Sequence, residues 1–218
     1  MQFKEIWADL PQDVRWQFES NSQTLNIKRG EFIYRQAEQP KGLYFVKKGL
    51  VGLVLTGSIS AKEHLLRFFR ENQFFGHRAL FSKEGYHGST VALEATTLKL
   101  VPQQIILEAI SKYPILLKDV VLVLAKELRR VEVQHVMILE NQVLTRVGQA
   151  LIYLKDLHPE HNWTRQEIAN FCASTVSTII KTLAELEKMG LIEQQGREII
   201  ILNRTGLLAL QDENKDEE

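Results

Sequence analysis

Between Pro114 and Gly148 the chain contains neither glycine nor proline, and this interval constrains the architecture more than any other feature. At about 1.5 Å per residue, a helix over 114–145 is a rod of about 48 Å, too long for one small domain to cover. Leu117, Leu124, Val131 and Ile138 recur every seven residues with Val121 and Leu128 between them, the spacing of a helix that pairs with another. The row turns polar at His135, Gln142 and Thr145, while Val123, Val133, Val136, Met137 and Leu144 lie off it and form a second apolar face. One face is assigned to the chain's own N-terminal domain and the other to a second copy. The expected dimer interface is therefore Leu117, Val121, Leu124, Leu128, Val131, His135 and Ile138. The plainer alternative is a core helix with one apolar side.

The chain before Pro102 has a different character. Phe3, Ile6, Trp7 and Leu10, then Val14 and Phe18, have helical spacing interrupted by Pro11, which predicts two short helices. From about Thr24, short β-type runs are punctuated by Gly30, Gly42, Gly49, Gly57, Gly76 and Gly85. Strands are expected at Glu31–Arg35, Leu43–Lys47, Leu50–Thr56, His64–Phe69, Ser89–Leu93 and Thr97–Val101. Many short strands without βα alternation predict an α+β protein with an N-terminal jelly-roll β-barrel. A short helix over 103–111 then leads to the rod.

The last third reads as a small separate module. A helix over 147–157 and a polar connection precede Thr164, a candidate N-cap with Glu167 at the capping-box spacing. Helical pattern runs to Met189 with a break near Ala173–Thr175, and 191–202 reads as a hairpin turning at Gly196. Helices followed by a hairpin are the layout of a winged helix. The expected division is 1–113 for an effector domain, 114–145 for the dimer helix, 146–210 for the winged helix-turn-helix and 211–218 for an acidic, disordered tail.

Composition excludes several classes. One cysteine, Cys172, rules out an intrachain disulfide framework and an all-cysteine cluster within one chain. The longest apolar run, Val120 to Ala125, is far short of the roughly 20 residues of a bilayer span. Lys4, Glu5, Asp9 and Asp13 break up any signal peptide, so a cytoplasmic location is expected and no membrane partner. The 27 basic and 27 acidic side chains cancel, so any basic face arises from arrangement.

The stretch TRQEIANFCASTVSTIIKTLAELEKMGLI, Thr164 to Ile192, carries the function. Ile168, Phe171, Ile179, Leu183 and Leu186 hold two helices together and leave Thr175, Val176, Ser177, Thr178 and Lys181 on the outer face of the second. There Lys181 can donate to guanine, Ser177 can bond to either kind of group and Val176 can meet a thymine methyl. Thr164, Arg165 and Gln166 at a helix start suit phosphates, and Arg197 at the wing tip suits the adjoining backbone. This stretch resembles, without a gap, the helix-turn-helix of the cyclic-AMP receptor protein and fumarate-nitrate regulator (Crp/Fnr) family. The resemblance extends along nearly the whole chain and implies a homodimeric transcription regulator on a two-fold-related double-stranded operator, in contact with RNA polymerase. Family members often carry an Arg-Glu pair and a later Arg where Val176, Ser177 and Lys181 stand, so the usual operator is not implied.

The stretch FGHRALFSKEGYHGSTVALE, Phe75 to Glu94, is similar to the family's phosphate-binding cassette. His77, following Gly76, stands where cyclic-nucleotide binders place a Glu, and His87-Gly88 stands for their Arg-Ser pair. Val131 and Glu132 fall on the positions of the purine-contacting hydroxyls. The expected pocket is Gly76, His77, Arg78, Ala79, His87, Gly88, Ser89, Val131 and Glu132, without its main phosphate anchor, so cyclic AMP is not expected. Three alternatives stay open: a metal or haem on His64, His77 and His87, another anion on Arg78, or a ligand-free β domain always competent for DNA. No cofactor is assigned, and the effector is left open.

No phosphate loop, nucleophile elbow or zincin-type helix is present, so enzyme chemistry is not expected, and Cys172 fits a small buried position. The competing function is a regulatory subunit that acts through protein contacts alone.

Overall fold

The computed structural model describes residues 10–58 and 61–210. The expected first helix and acidic tail lie outside them. The second N-terminal helix is α1 (Gln12–Asn21), entered through Pro11, whose ring holds φ at −49°.

Among the described residues, the N-terminal strands are β1 (Gln23–Ile27), β2 (Phe32–Tyr34), β3 (Gly42–Lys48), β4 (Leu50–Thr56), β5 (Glu63–Arg70), β6 (Phe74–Phe75), β7 (Ser89–Ala92) and β8 (Thr96–Pro102). They form two antiparallel four-stranded sheets, ordered β1-β8-β3-β6 and β2-β7-β4-β5. α2 (His77–Ser82) joins β6 to β7, and α3 (Gln103–Lys112) follows β8. The alternation of β3 explains the layering. Tyr44 and Val46 enter a core shared by both sheets with Tyr34, Val51, Leu53, Phe69, Phe75 and Leu98. Leu43 and Phe45 point the other way, against Val14 and Phe18 of α1 and Ile106 and Ala109 of α3. A strand covered on both faces loses polar/apolar alternation and reads as a continuous apolar run. Burial of each such Leu, Val or Phe contributes about 1.5–3 kcal/mol. β1 and β6 were not anticipated, because β1 is a largely exposed edge and β6 is two residues long.

The rod is real but shorter than expected. α4 (Leu116–Glu140) has 25 residues, about 37 Å, and α5 (Val143–Leu157) begins after a break at Asn141–Gln142. The break is held by Arg146, whose Nη1 donates to the carbonyl oxygens of Ile138 (3.3 Å) and Asn141 (3.0 Å). Those acceptors would otherwise be orphaned helix-end carbonyls. No glycine or proline marks the place, which is why periodicity ran through it. The chain divides into two compact units between Glu127 and Leu128, inside α4. The off-row residues take different roles: Val123 is buried in the cluster with α1 and α3, whereas Val133 and Met137 line an apolar groove of about 400 Å³ with Tyr153 of α5.

The second unit adds α6 (Arg165–Phe171), α7 (Val176–Lys188), the hairpin β9 (Ile192–Gln195) and β10 (Glu198–Ile201), and α8 (Arg204–Leu208). Leu151, Leu154, Ile168, Ile179, Leu183, Leu186, Ile192 and Leu207 are fully buried. Ile179, Leu183 and Leu186 lie at i, i+4 and i+7, the inner stripe of α7. Gly148 sits within α5 for a steric reason, since a Cβ there would lie 2.8 Å from Leu210 Cδ1 and 3.3 Å from Leu207 Cδ2. α8 was not anticipated. Its start is capped by Asn203, whose side-chain oxygen accepts from the Gly206 N–H at 2.8 Å.

Candidate functional site

The helix pair in the second unit is built by its caps. Thr164 Oγ1 accepts from the Glu167 N–H (3.1 Å) while the Glu167 carboxylate accepts from the Thr164 N–H (2.8 Å), the reciprocal pair expected from the spacing. His161 Nε2 lies 3.2 Å from the same carboxylate. Burial alone would raise the Glu167 pKa, but hydrogen bonds from His161 and the Thr164 backbone outweigh it and hold the group below its usual value. α6 ends where Cys172 N–H bonds to Ile168 O, and the chain reverses through Ala173 at φ 51°. A non-glycine residue there is uncommon. α7 restarts on a second cap, Thr175 Oγ1 accepting from the Thr178 N–H at 3.1 Å.

These caps turn the expected reading face outward. Thr175, Ser177 and Lys181 are exposed, and Val176 and Thr178 are half-buried. Thr175 Oγ1 lies 2.9 Å from Ser177 Oγ and 2.8 Å from Thr178 Oγ1, so three hydroxyls form one cluster at the helix start. Ile180, beside Lys181 on α7, is 54% exposed and was missed by the sequence reading. Its position next to Lys181, off the inner stripe of Ile179, Leu183 and Leu186, was the signal available.

Arg165 behaves differently from its neighbours. Its Nη1 donates to the Arg197 carbonyl oxygen (2.6 Å), and its Nη2 donates to Gln194 Oε1 (2.8 Å) and Gly196 O (3.4 Å). Gln194 in turn donates through its backbone N–H and Nε2 to the Glu187 carboxylate of α7, at 2.6 and 3.0 Å. A polar chain thus fastens the wing to both helices. Gln166 is exposed and donates to Asn170 Oδ1 at 2.7 Å. Arg197 is exposed at the hairpin turn, next to Gly196 at φ 61°.

In the first unit, Gly76, His77, Arg78, Ala79 and His87 line one small cavity together with Tyr34, Arg67 and Tyr86. Gly76 has φ 92°, and a Cβ there would lie 3.0 Å from Gly42 O. Gly88 lies against Val54 O, and Ser89 Oγ accepts from the Gln36 N–H at 3.0 Å. Val131 and Glu132 are exposed. The α4 residue that reaches the cluster is Glu127, four and five positions earlier, and it was missed along with Arg67. Arg78 donates to Glu127 Oε2 through Nε at 3.0 Å, with Nη2 2.8 Å away, and Arg67 and His77 face Oε1. Burial would raise the Glu127 carboxyl, but its interactions with His77 and then Arg67 prevail and bring it down to about 2. Burial and the charge of Arg78 both lower the His87 pKa, and His87 Nε2 lies 3.3 Å from Arg78 Nη1. The three histidines do not converge: His64 pairs with Leu55 in the β4–β5 ladder. Among the described residues no group of three His, Cys, Asp or Glu side chains could hold a metal ion.

Comparison with known proteins matches both units. Residues 24–113 match the cyclic nucleotide-binding domain model and residues 145–210 the Crp-like helix-turn-helix domain model. The transcriptional activator protein Anr of Pseudomonas aeruginosa is 25% identical over 84% of this chain and 78% of its own length. The transcriptional regulator LdrP of Thermus thermophilus is 28% identical over 82% of this chain and 92% of its own length. Among solved structures, a Crp/Fnr-family regulator from Eubacterium rectale superposes with a TM-score of 0.78 at 19% identity, over 93% of this chain and 95% of that one.

Proposed function

The chain belongs to the Crp/Fnr family of DNA-binding transcription regulators, and on that premise we propose that two copies grip a two-fold-related operator without any need for cyclic AMP. The observation that carries the reading is the outer side of the segment from Thr175 to Lys181, where Thr175, Ser177 and Lys181 are held in solvent by the Ala173 turn, the Thr175 cap and the buried Ile179 and Leu183 beneath them. A short polar helix face on a rigid support is what a major groove admits. Lys181, Ser177 and Val176 read base edges. Thr164, Gln166, Thr175, Thr178 and Arg197 meet the backbone, and Arg165 aligns the wing.

Leu117, Val121, Leu124, Leu128, Val131, His135 and Ile138 of α4 are exposed in the single chain. A row in water that is apolar at every position but His135 supports their assignment to the seam of a homodimer. Among the described residues no helix is long and apolar enough to cross a membrane. A regulator of this kind works in the cytoplasm, on double-stranded DNA and alongside RNA polymerase, with no chemistry of its own. The domain plan that fits is an effector domain, the α4 dimer helix and the winged module.

In vitro selection of bound DNA, followed by mobility shifts at 50 and 200 mM salt with and without cyclic AMP, tests this reading. Expected are an inverted repeat with half-sites about one helical turn apart, strong salt dependence and indifference to the nucleotide. Recovery of no enriched sequence would point to the protein-contact alternative, and a cyclic-AMP requirement would overturn the claim of independence from that nucleotide.

A further inference from the structure

Two guanidiniums and an imidazole converge in the N-terminal unit on a carboxylate of the chain itself. Arg67 comes from β5, His77 and Arg78 from the start of α2, and Glu127, only 5% exposed, from α4. Its Oε2 is hydrogen-bonded by Arg78, while Oε1 faces Arg67 and His77 Nε2 (3.1 Å) at ion-pair distance without an aligned hydrogen bond. Like charges drawn together beside an apolar core are costly unless an anion lies between them. The β5–α2 side of the cluster is therefore an anion site by construction, and Glu127 occupies it.

Little space is left beside the cluster. The cavity left beside the cluster is about 20 Å³, room for about one water, whereas small-molecule pockets begin near about 300 Å³. The rest of the interior is filled by rings: Tyr34 stacks on Tyr86 with centroids 3.5 Å apart, and Tyr44 on Phe75 at 5.1 Å. A carboxylate fixed to α4 also has a high effective concentration at the cations, so a free anion competes poorly.

We infer that Glu127 is a tethered anionic ligand, filling the anion site of the N-terminal unit from within and seating α4 there without a small-molecule effector. The tether stands on the cluster alone. Its consequence, a protein always competent for its operator, rests on the DNA-binding reading above.

The test uses the full-length protein. Glu127→Ala removes the carboxylate and leaves space for acetate, so tens of millimolar sodium acetate is expected to raise the melting temperature of Glu127→Ala. Neither the wild type nor Glu127→Ala/Arg78→Ala should respond, against sodium chloride at equal ionic strength. Glu127→Gln, which keeps the volume but not the charge, is expected to melt lower than wild type and to ignore acetate. Equal acetate effects on all four proteins, or none on Glu127→Ala, would overturn the tether. If Glu127→Ala does not fold, titration of the wild type with acetate and inorganic phosphate decides: no heat is expected, and micromolar binding of either overturns it. In mobility shifts, Glu127→Ala is expected to bind operator at least tenfold more weakly, with acetate restoring affinity. Unchanged affinity overturns the regulatory consequence, whereas a wild type that binds no DNA sinks the DNA reading and leaves the melting result to judge the tether.

Discussion

Arg165 of α6 donates through Nη1 to the carbonyl oxygen of Arg197 at the wing tip, 2.6 Å away, so a side chain expected to meet phosphate is engaged with the protein. Its other contacts, Gln194 Oε1 and Gly196 O, are also on the wing. Hydrogen bonds from a charged donor are worth about 1.5–3 kcal/mol when well placed. Arg165→Ala is expected to accelerate amide hydrogen exchange at Gly196 and Arg197 and to lower affinity for all operators by a common factor. Unchanged wing exchange with lower affinity would return Arg165 to a direct phosphate role.

Lys181 is exposed on the outer face of α7 and makes no hydrogen bond or ion pair among the described residues. Lys181→Ala is expected to flatten discrimination at one base pair per half-site, by about 1–3 kcal/mol, while leaving the melting temperature unchanged. Binding to a library of operator variants measures this. A uniform loss across the library, like that of Arg165→Ala, would show that Lys181 does not read sequence.

Leu124 and Val131 lie seven residues apart on α4 and are 36% and 53% exposed in the single chain. Charged groups at both positions must be desolvated if the row is a dimer seam. Leu124→Glu with Val131→Glu is expected to yield monomers by sedimentation and to lose operator affinity. A dimer that survives both changes would place the seam elsewhere.

Glu127 links stability to acid. Its folded-state pKa is depressed, from 4.5 to about 2, so its contribution is complete above about pH 4.5 and is lost as pH falls toward 2. Removing one member of a buried ion cluster costs about 3–5 kcal/mol. Glu127→Gln is expected to be less stable than wild type by about 3 kcal/mol at pH 7, with the difference shrinking between pH 4.5 and 2. Urea unfolding across that range measures it, and a pH-independent difference would mean the charge of Glu127 is not what stabilises the cluster.

Cys172 is 4% exposed, and burial pushes its thiol up to about 12. The thiolate is the reactive form, so the folded protein is expected to resist iodoacetamide at pH 8 and to react fully in urea. Rapid alkylation of the native chain would contradict the buried position at the end of α6.

Where the signal was local, it was legible. The capping box of Thr164 and Glu167, the break at Ala173 and the hairpin at Gly196 are set by neighbours within a few residues, and each stands where the pattern placed it. β1 escaped because an edge strand need not be apolar, and the end of α4 escaped because Arg146 terminates it from the following helix. In the cluster of Arg67, His77 and Arg78, counting along the rod selected Val131 and Glu132, whereas the side chain that enters is Glu127, whose partners lie 49 to 60 positions away in sequence.

The sequence by itself determined most of the strands and helices, the helix-turn-helix with its caps, and the hairpin that follows it. Apolar periodicity, caps and turns act over short range, so they are written in consecutive residues. Only the tertiary structure decided that Arg165 serves the wing and that Glu127 satisfies Arg67 and Arg78. A buried charge takes whichever opposite charge the packing brings within about 4 Å, and that proximity is a property of the folded chain, not of spacing along it.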